Sequence, residues 1–426
     1  MSPTRHDAFG ADAPTEPHPQ LRRQAGPAVE PPRRQRRESV AAARLRDHRR
    51  RHRLVRRIVA GGFVLLLIPA VWSYSRALAA TGSDPTSLRS IEWLKGNGMN
   101  GVVNTVEHWY YANNPPPVGG KPKNGLPHAA AVNGSARAHT SGPVAPAHLP
   151  PPVNMQPVVS TPLPGEGQWQ PTGRAVDGIP AVYTTYFRPD AVHTSLVAAA
   201  MWMDTNLLKT TLVPGTLEPG GPNPWGAEVP PTQRAGLVAT FNSGFKINDS
   251  RGGYYNFGQE IHPLANGVAS LVIDTSGRAS VGLWGRDFTL GPNIATVRQN
   301  LALLIDNGQL EPGLASDSNQ KWGATLGNSL YVWRSGVGTD ASGALIYVGG
   351  PGLSIESLAI LLQRAGAVRA MELDINTDWV AAFTYAQNSP DPNDVHGVKL
   401  LPSMVRPEDH YLTPGERDFF ALFAAH

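Results

Sequence analysis

The chain has no cysteine. That absence removes disulfides, thiolate metal sites and cysteine nucleophiles together. It leaves the compartment open, since an exported protein can dispense with disulfides. Two motifs of nucleotide and zinc chemistry are also missing: there is no Walker loop and no H-E-x-x-H. No internal repeat is visible. Lysine is absent from residues 1–57, which hold 15 arginines and 6 acids. This tail carries +9 while the whole chain carries +4, so the remainder carries −5. The basic character therefore belongs to the tail and not to the folded part. That argues against a nucleic-acid partner, which would need a basic face within the fold.

Long apolar runs are scarce as well. The one that stands out is IVAGGFVLLLIPAVWSY, Ile58 to Tyr74, which holds no charge. As a helix it would be about 25 Å long, slightly short of a hydrocarbon core of about 30 Å. Arg57 and Arg76 can snorkel, and Trp72 and Tyr74 suit an interface, so it can still span. Eight arginines between Arg44 and Arg57 favour a cytoplasmic N-terminus and an extracytoplasmic C-terminal part. Ala77-Leu78-Ala79 resembles a signal-peptidase site, the competing reading. More than 50 residues precede the apolar run, however, which is long for a cleaved signal. The expectation is a single-pass cell-membrane protein with an uncleaved signal anchor over 58–80.

The rest of the chain divides by texture. Residues 1–57 form a basic cytoplasmic tail, and Met1 to about Val40 are too poor in apolar side chains to offset their ordering entropy, so the tail is expected to be disordered. Residues 81–112 read as two short juxtamembrane helices broken near Gly96 to Gly101. Trp93, Trp109, Tyr110 and Tyr111 there suggest docking on the main domain or on the membrane surface. Residues 113–165 are dense in Pro, Gly, Ala and His and read as an extended linker. Their histidines lack the spacing of a metal site.

From Glu166 to His426, short apolar and β-branched runs alternate with Gly and Pro punctuation. Strands are expected at Ala181 to Phe187, Leu196 to Met203, Leu237 to Phe241, Ala269 to Ile273, Ala279 to Leu283 and Leu301 to Ile305. Helical patterns are few: Ser354 to Ala365, and a short one near Pro414 to Ala424. The expected fold class is α+β, mixed sheets with few helices, in one domain over 166–426.

Leu330 to Thr384 is its most informative stretch. Two runs, Leu330 to Val337 and Ala344 to Val348, flank the turn formers Asp340, Ser342 and Gly343 and read as a hairpin. Ser354 can cap a helix whose Ile355, Leu358, Leu361 and Leu362 share one face, and Gly366 ends it. Val368 to Ile375 is a further strand. Alternation would turn Met371, Leu373 and Ile375 to one face, and Glu372 and Asp374 to the other.

Several stretches, in order, resemble the phosphodiester glycosidase family, which includes the mannose 6-phosphate uncovering enzyme. They are TFNSGF (Thr240 to Phe245), the run ending Leu304-Ile305-Asp306-Asn307-Gly308, RSGVG (Arg334 to Gly338), and the helix followed by a strand ending ELD (Glu372 to Asp374). The resemblance covers roughly Leu237 to Thr384. It implies hydrolysis of a sugar joined through its anomeric carbon to a phosphodiester. One departure stands out: the family follows this aspartate with glycines and serines, whereas here Asp374 is followed by Ile-Asn-Thr-Asp-Trp. That implies either a different substrate pocket or lost chemistry.

Breaking a glycosyl bond needs a proton donor for the leaving group and a carboxylate or water on the opposite face. The catalytic candidates are Glu372, Asp374 and Asp378, against the plain reading of acids facing water at a sheet end. Asn242 and Gly244 lie on a loop where a side chain and free N–H groups can meet a ligand, or where a turn is merely stabilised. Lys246 can bind phosphate as a point charge or sit exposed. Arg334, inside an apolar strand, needs an anion: phosphate, Asp374 or a structural partner. Asp306 is a binding or a turn residue, and Trp322 stacks on a sugar or fills the core. His193 and His262 read as structural. No cofactor is expected. A divalent ion on Glu372, Asp374 and Asp378 stays open on ligand hardness, although their spacing matches no known loop.

The Arg, Ala, Gly and Pro-rich composition fits a bacterium with GC-rich DNA. The reading is a membrane-anchored extracytoplasmic hydrolase of a sugar-1-phosphodiester, with a cell-envelope glycopolymer as substrate. The alternative is a non-catalytic glycan-binding or envelope-scaffold domain of the same fold. Convergence of Asn242, Arg334, Glu372 and Asp374 on one pocket would favour the enzyme.

Overall fold

The computed structural model describes residues 33–80, 82, 84–136, 147–316, 321–323, 325 and 329–425. Most of the stretch expected to be disordered, residues 1–32, lies outside these. The chain divides into two units, Met1–Ser73 and Tyr74–His426.

The first unit is helical where it is described. Helix α1 runs from Arg33 to Leu78, with Pro69 inside it, and reaches into the second unit. The arginine-rich part of the tail is thus helical from Arg33. Ala, Arg, Leu and Glu are good helix formers, and in this stretch propensity outweighed the low apolar content. Within Ala42–Leu78, α1 is long and apolar enough to cross a membrane by length and composition.

In the second unit, helices α2 (Thr86–Gly96) and α3 (Asn100–Asn113) follow, packed against each other. The Pro/Gly-rich segment after them is not a free linker where it is described. Its backbone is tied to the domain by Gly119 N–H to Val192 O at 2.7 Å and Asn133 N–H to Gly173 O at 2.9 Å. Leu149 N–H reaches the Asp204 carboxylate at 2.7 Å, and Met155 is buried. The segment has no core of its own and borrows the domain's.

Among the described residues three larger sheets make the body, beside a small one of Ser135–Ala136, Ala175–Val176 and Ile179–Pro180. The large one orders its strands Gln309–Leu310, Leu303–Asp306, Ala367–Ile375, Val332–Asp340, Leu345–Leu353, Ala198–Met203, Val182–Phe187 and Gln170–Pro171. A second orders Val395–Lys399, Ala382–Gln387, Leu237–Asn242, Phe419–Ala424 and Leu208–Val213. A third orders Gln259–His262, Tyr254–Asn256, Ile294–Gln299, Ala269–Asp274 and Ala279–Leu283. Mixed sheets with few helices is what the sequence implied.

The large sheet is buried on both faces, and strand alternation sorts its side chains. Ala199, Met201, Met203, Val337, Tyr347, Met371 and Leu373 pack toward Phe241, Phe420 and Leu422 of the second sheet. Ala198, Ala200, Trp202, Ile346, Val348 and Ala370 pack instead with Leu358, Leu361 and Leu362. Those leucines belong to α5 (Ile355–Arg364), which lies one helix beyond the single-turn α4 (Ile247–Ser250). Ser354 Oγ accepts from Ser357 N–H at 3.0 Å and Ser357 Oγ accepts from Ser354 N–H at 2.9 Å, so α5 begins in a reciprocal cap. Full burial of each leucine is worth about 2 kcal/mol. The helix lies so close to the sheet that a Cβ on Gly336 would sit 2.9 Å from Leu362 Cδ1. This contact accounts for the first glycine of RSGVG.

One expected element has the wrong type. The stretch near Pro414 to Ala424 holds no α-helix; Phe419–Ala424 is an inner strand paired on both sides. Its run FFALF is apolar throughout. Such a run fits a strand buried on both faces as well as a helix, and pairing decided the matter.

Candidate functional site

The ends of two neighbouring sheets build the site. Leu237–Asn242 of the second sheet delivers Asn242, which is buried and fully engaged. Its Oδ1 accepts from Tyr347 O–H at 2.9 Å and from Ala381 N–H at 3.2 Å. Its Nδ2 donates to Ser335 Oγ at 3.0 Å and to Ser243 O at 2.8 Å. Ser335 Oγ in turn donates to Asp374 O and accepts from Asp374 N–H. Asn242 therefore works as a strut between the sheets.

The loop after Asn242 is stapled by Asn300. Its Oδ1 accepts from Phe245 N–H at 3.2 Å, and its Nδ2 donates to Glu372 O and Leu373 O at 2.8 Å each. A Cβ on Gly244 would lie 2.8 Å from the Asn300 side chain, so only glycine fits. Beneath this loop Arg298 pairs with Asp418 at 2.8 Å, both fully buried.

Asp374 ends the strand Ala367–Ile375. Opposite it the register slips: Gly336 faces Glu372, but Arg334 faces Ile375, so Leu373 and Asp374 on one strand lie opposite the single residue Ser335 on the other. This bulge breaks the alternation that would have set Glu372 and Asp374 on one face. Asp374 meets Arg417, which precedes the inner strand of the second sheet, with Oδ2 2.7 Å from Arg417 Nη2. The same nitrogen donates to Gly244 O at 2.8 Å. Burial pushes the Asp374 carboxyl up to about 6, with Arg417 pulling the other way. The Trp379 ring carries Arg417 at 4.7 Å and Arg406 at 4.9 Å from its centroid.

Ser243 Oγ, Arg417 Nε and Asp418 Oδ1 are buried without a hydrogen-bond partner. All three residues, with Asn242, Gly244 and Asp374, line a small recess of about 20 Å³. Unsatisfied polar atoms that converge in this way are rare in a merely structural core. The recess adjoins a wide cleft of about 1020 Å³, and Asp374, Trp379, Glu416 and Arg417 line both. Lys246, bonded to Glu92 of α2 at 2.7 Å, lines the wide cleft. Glu416 has its pKa raised by burial, and Asp84 and Glu92 push it the same way.

Of the residues singled out in the sequence, Asn242, Gly244, Lys246 and Asp374 gather at these recesses. The others lie elsewhere. Arg334 pairs with Glu372 at 2.6 Å and donates to Leu353 O; neither side chain reaches the cleft. Arg334 thus has a structural partner, and it is Glu372 rather than Asp374. Asp378 lines neither recess; its carbonyl accepts from Arg406 Nε, and burial raises its carboxyl pKa. Asp306 sits in a surface ion cluster with Arg286 and Arg369. Trp322 is a core residue whose indole N–H donates to Leu303 O at 2.8 Å. His193 pairs with Asp190, and His262 meets Pro219 O. Among the described residues no three His, Asp or Glu side chains stand where they could share a metal ion.

Residues 235–394 match the family model described as phosphodiester glycosidase. The chain carries a phosphodiester glycosidase domain. No curated protein matches the sequence. Among solved structures, the catalytic domain of zebrafish N-acetylglucosamine-1-phosphodiester alpha-N-acetylglucosaminidase is 13% identical. The match covers 57% of this chain and 84% of that one, with a TM-score of 0.37. A hypothetical protein from Synechocystis is 12% identical, covering 60% of this chain and 64% of that one, with a TM-score of 0.32.

Arg417, Glu416, Trp379, Arg298 and Asn300 were not singled out for the site by sequence reasoning. Arg298 carries the signal that flagged Arg334, an arginine inside an apolar strand. Arg417 sits in a turn-like Pro-Gly-Glu-Arg segment, 43 positions from its partner, and offers no local sign.

Proposed function

We propose that this protein is a membrane-anchored extracytoplasmic hydrolase that releases a sugar from a sugar-1-phosphodiester of the cell envelope. The observation that carries this reading is the pairing of Asp374 with Arg417 at the meeting of a closed polar recess and an open cleft. With its pKa near 6, Asp374 is mostly ionised at neutral pH. As a carboxylate beside the anomeric carbon it stabilises positive charge on the sugar, or activates the attacking water. Arg417 and Lys246 supply cations for the phosphate, which would compete with Asp374 and Glu92 for them. Glu416, whose pKa burial raises, lines both recesses and is placed to protonate the departing oxygen. The C1–O bond breaks with its electrons going to the phosphate, and water supplies the hydroxyl to C1.

The test is turnover of a panel of sugar-1-phosphodiesters by the full chain, read as free sugar and phosphomonoester. Binding of these diesters without any turnover would point to the glycan-binding alternative.

A further inference from the structure

The wide cleft is bounded on one side by chain that has just left the apolar run. Ala77 and Ala80 line it, with Arg89, Glu92, Trp93 and Lys95 of α2. Tyr74 is the last residue of that run, and α1 continues to Leu78. Ala77 therefore stands only about 4.5 Å further along the same helix. This start of the second unit is pinned to α2. Tyr74 Oη lies 2.9 Å from Ser90 Oγ, and the Tyr74 and Trp93 rings are 5.0 Å apart. Arg89 donates to Leu78 O at 2.8 Å and to Gly82 O at 2.7 Å. Glu92 then reaches the loop after Asn242 through Lys246. If the apolar run spans a bilayer, the cleft mouth cannot lie far from the headgroups.

Helix α3 adds an independent observation. Val102, Val106 and Trp109 recur at steps of four and three, so they share one face, and Met99 immediately precedes the helix. Met99, Val102, Val106 and Trp109 are 40%, 53%, 58% and 65% exposed. An apolar stripe of this kind on a helix tethered beside a membrane anchor suits the headgroup–acyl boundary, where tryptophan is favoured. Bulk water does not suit it.

From these placements we infer that the cleft takes a lipid-linked sugar: a phosphodiester with the sugar C1 on one side and a membrane-embedded lipid alcohol on the other. The inference rests on the hydrolase reading above and specifies its substrate. The phosphate lies at Lys246 and Arg417, and the lipid chain leaves past Ala77, Ala80 and Trp93 toward the bilayer. Hydrolysis breaks C1–O and adds water, so the sugar leaves with a new hydroxyl while the lipid monophosphate stays in the membrane. α3 lies on the same bilayer and holds the cleft mouth down.

The test places the full chain in phosphatidylglycerol vesicles. It compares two diesters of each sugar 1-phosphate, drawn from glucose, galactose, mannose and N-acetylglucosamine. One diester carries a C55 polyprenyl group in the bilayer and the other a methyl group in solution. The expected result is at least a tenfold higher kcat/KM for the polyprenyl diester. The triple variant V102D/V106D/W109D, all at exposed positions, should lose that preference and keep methyl-diester turnover. Equal or better use of the methyl diester overturns the inference and leaves the hydrolase reading standing. A variant that keeps the preference removes α3 from it. Turnover of neither diester overturns the hydrolase reading, and this inference falls with it.

Discussion

Ser335 holds Asp374 by both of its backbone polar groups, donating to its carbonyl at 3.0 Å and accepting from its N–H at 3.2 Å. Asn242 fixes the serine from the other sheet at 3.0 Å. The carboxylate at the cleft is therefore set by a chain of hydrogen bonds crossing between two sheets. Ser335→Ala leaves these buried groups without partners, which costs about 1–3 kcal/mol. We expect a lower denaturation midpoint and a lower kcat together. Loss of stability at unchanged kcat would show that the serine does not position Asp374.

Asp374→Asn should abolish hydrolysis with the fold intact. The amide has nearly the same volume but no charge, and a drop of ~10²-fold or more is expected for a direct chemical role. A thermal melt run beside the assay separates this from a structural effect. An unchanged rate with an unchanged melt would move the chemistry to Glu416.

The pH dependence follows from the raised Asp374 pKa. If the ionised form acts, kcat/KM rises with pH and levels off above about 6. Arg417→Gln removes the cation that favours ionisation, so that limb should move to higher pH. A limb that stays in place would assign it to another group. For stability the sign is opposite. The folded-state pKa lies above the unfolded one of 3.8, so the contribution is fullest below pH 4 and fades as pH rises through 6.

Arg334→Ala should act on folding. Its guanidinium and the Glu372 carboxylate are buried together, and removing one partner of such a pair costs about 3–5 kcal/mol. Equilibrium unfolding measures this directly. A variant of normal stability with weakened diester binding would return Arg334 to the site.

The orientation of the chain is open to a protease experiment. Digestion of the C-terminal domain on intact, wall-stripped cells is the expected result, from the arginines flanking the apolar run. Full protection would reverse the topology. A soluble product starting at Ala80 would make the run a cleaved signal.

The sequence announced the parts of this molecule that local chemistry dictates. Ser354, the leucine stripe and Gly366 specify α5 within a dozen residues, and the hairpin before it is as plain. Asn242, Gly244, Lys246 and Asp374 were legible because each sits where a strand runs into a loop. What stayed hidden depends on pairing between distant segments. The bulge opposite Arg334 and Gly336 decides which way Asp374 turns, and no residue near it marks the slip. FFALF became a strand because Leu237–Asn242 and Leu208–Val213 flank it. Arg417 gains its meaning only once that strand is in place.

The stack on Trp379 has a consequence for how the molecule can be cut. Asp84 pairs with Arg406, Arg406 lies on one side of the indole, and Arg417 lies against the same ring with Asp374 beyond it. A residue ten positions past the apolar run thus begins a row of two ion pairs, joined through the indole, that ends at the Asp374 carboxylate. A secreted version that starts after Asp84 would lose Ala77 and Ala80 from the cleft, and with Asp84 the counter-charge of a cation only 1% exposed. Its acid–base behaviour would belong to a different electrostatic circuit from that of the intact chain.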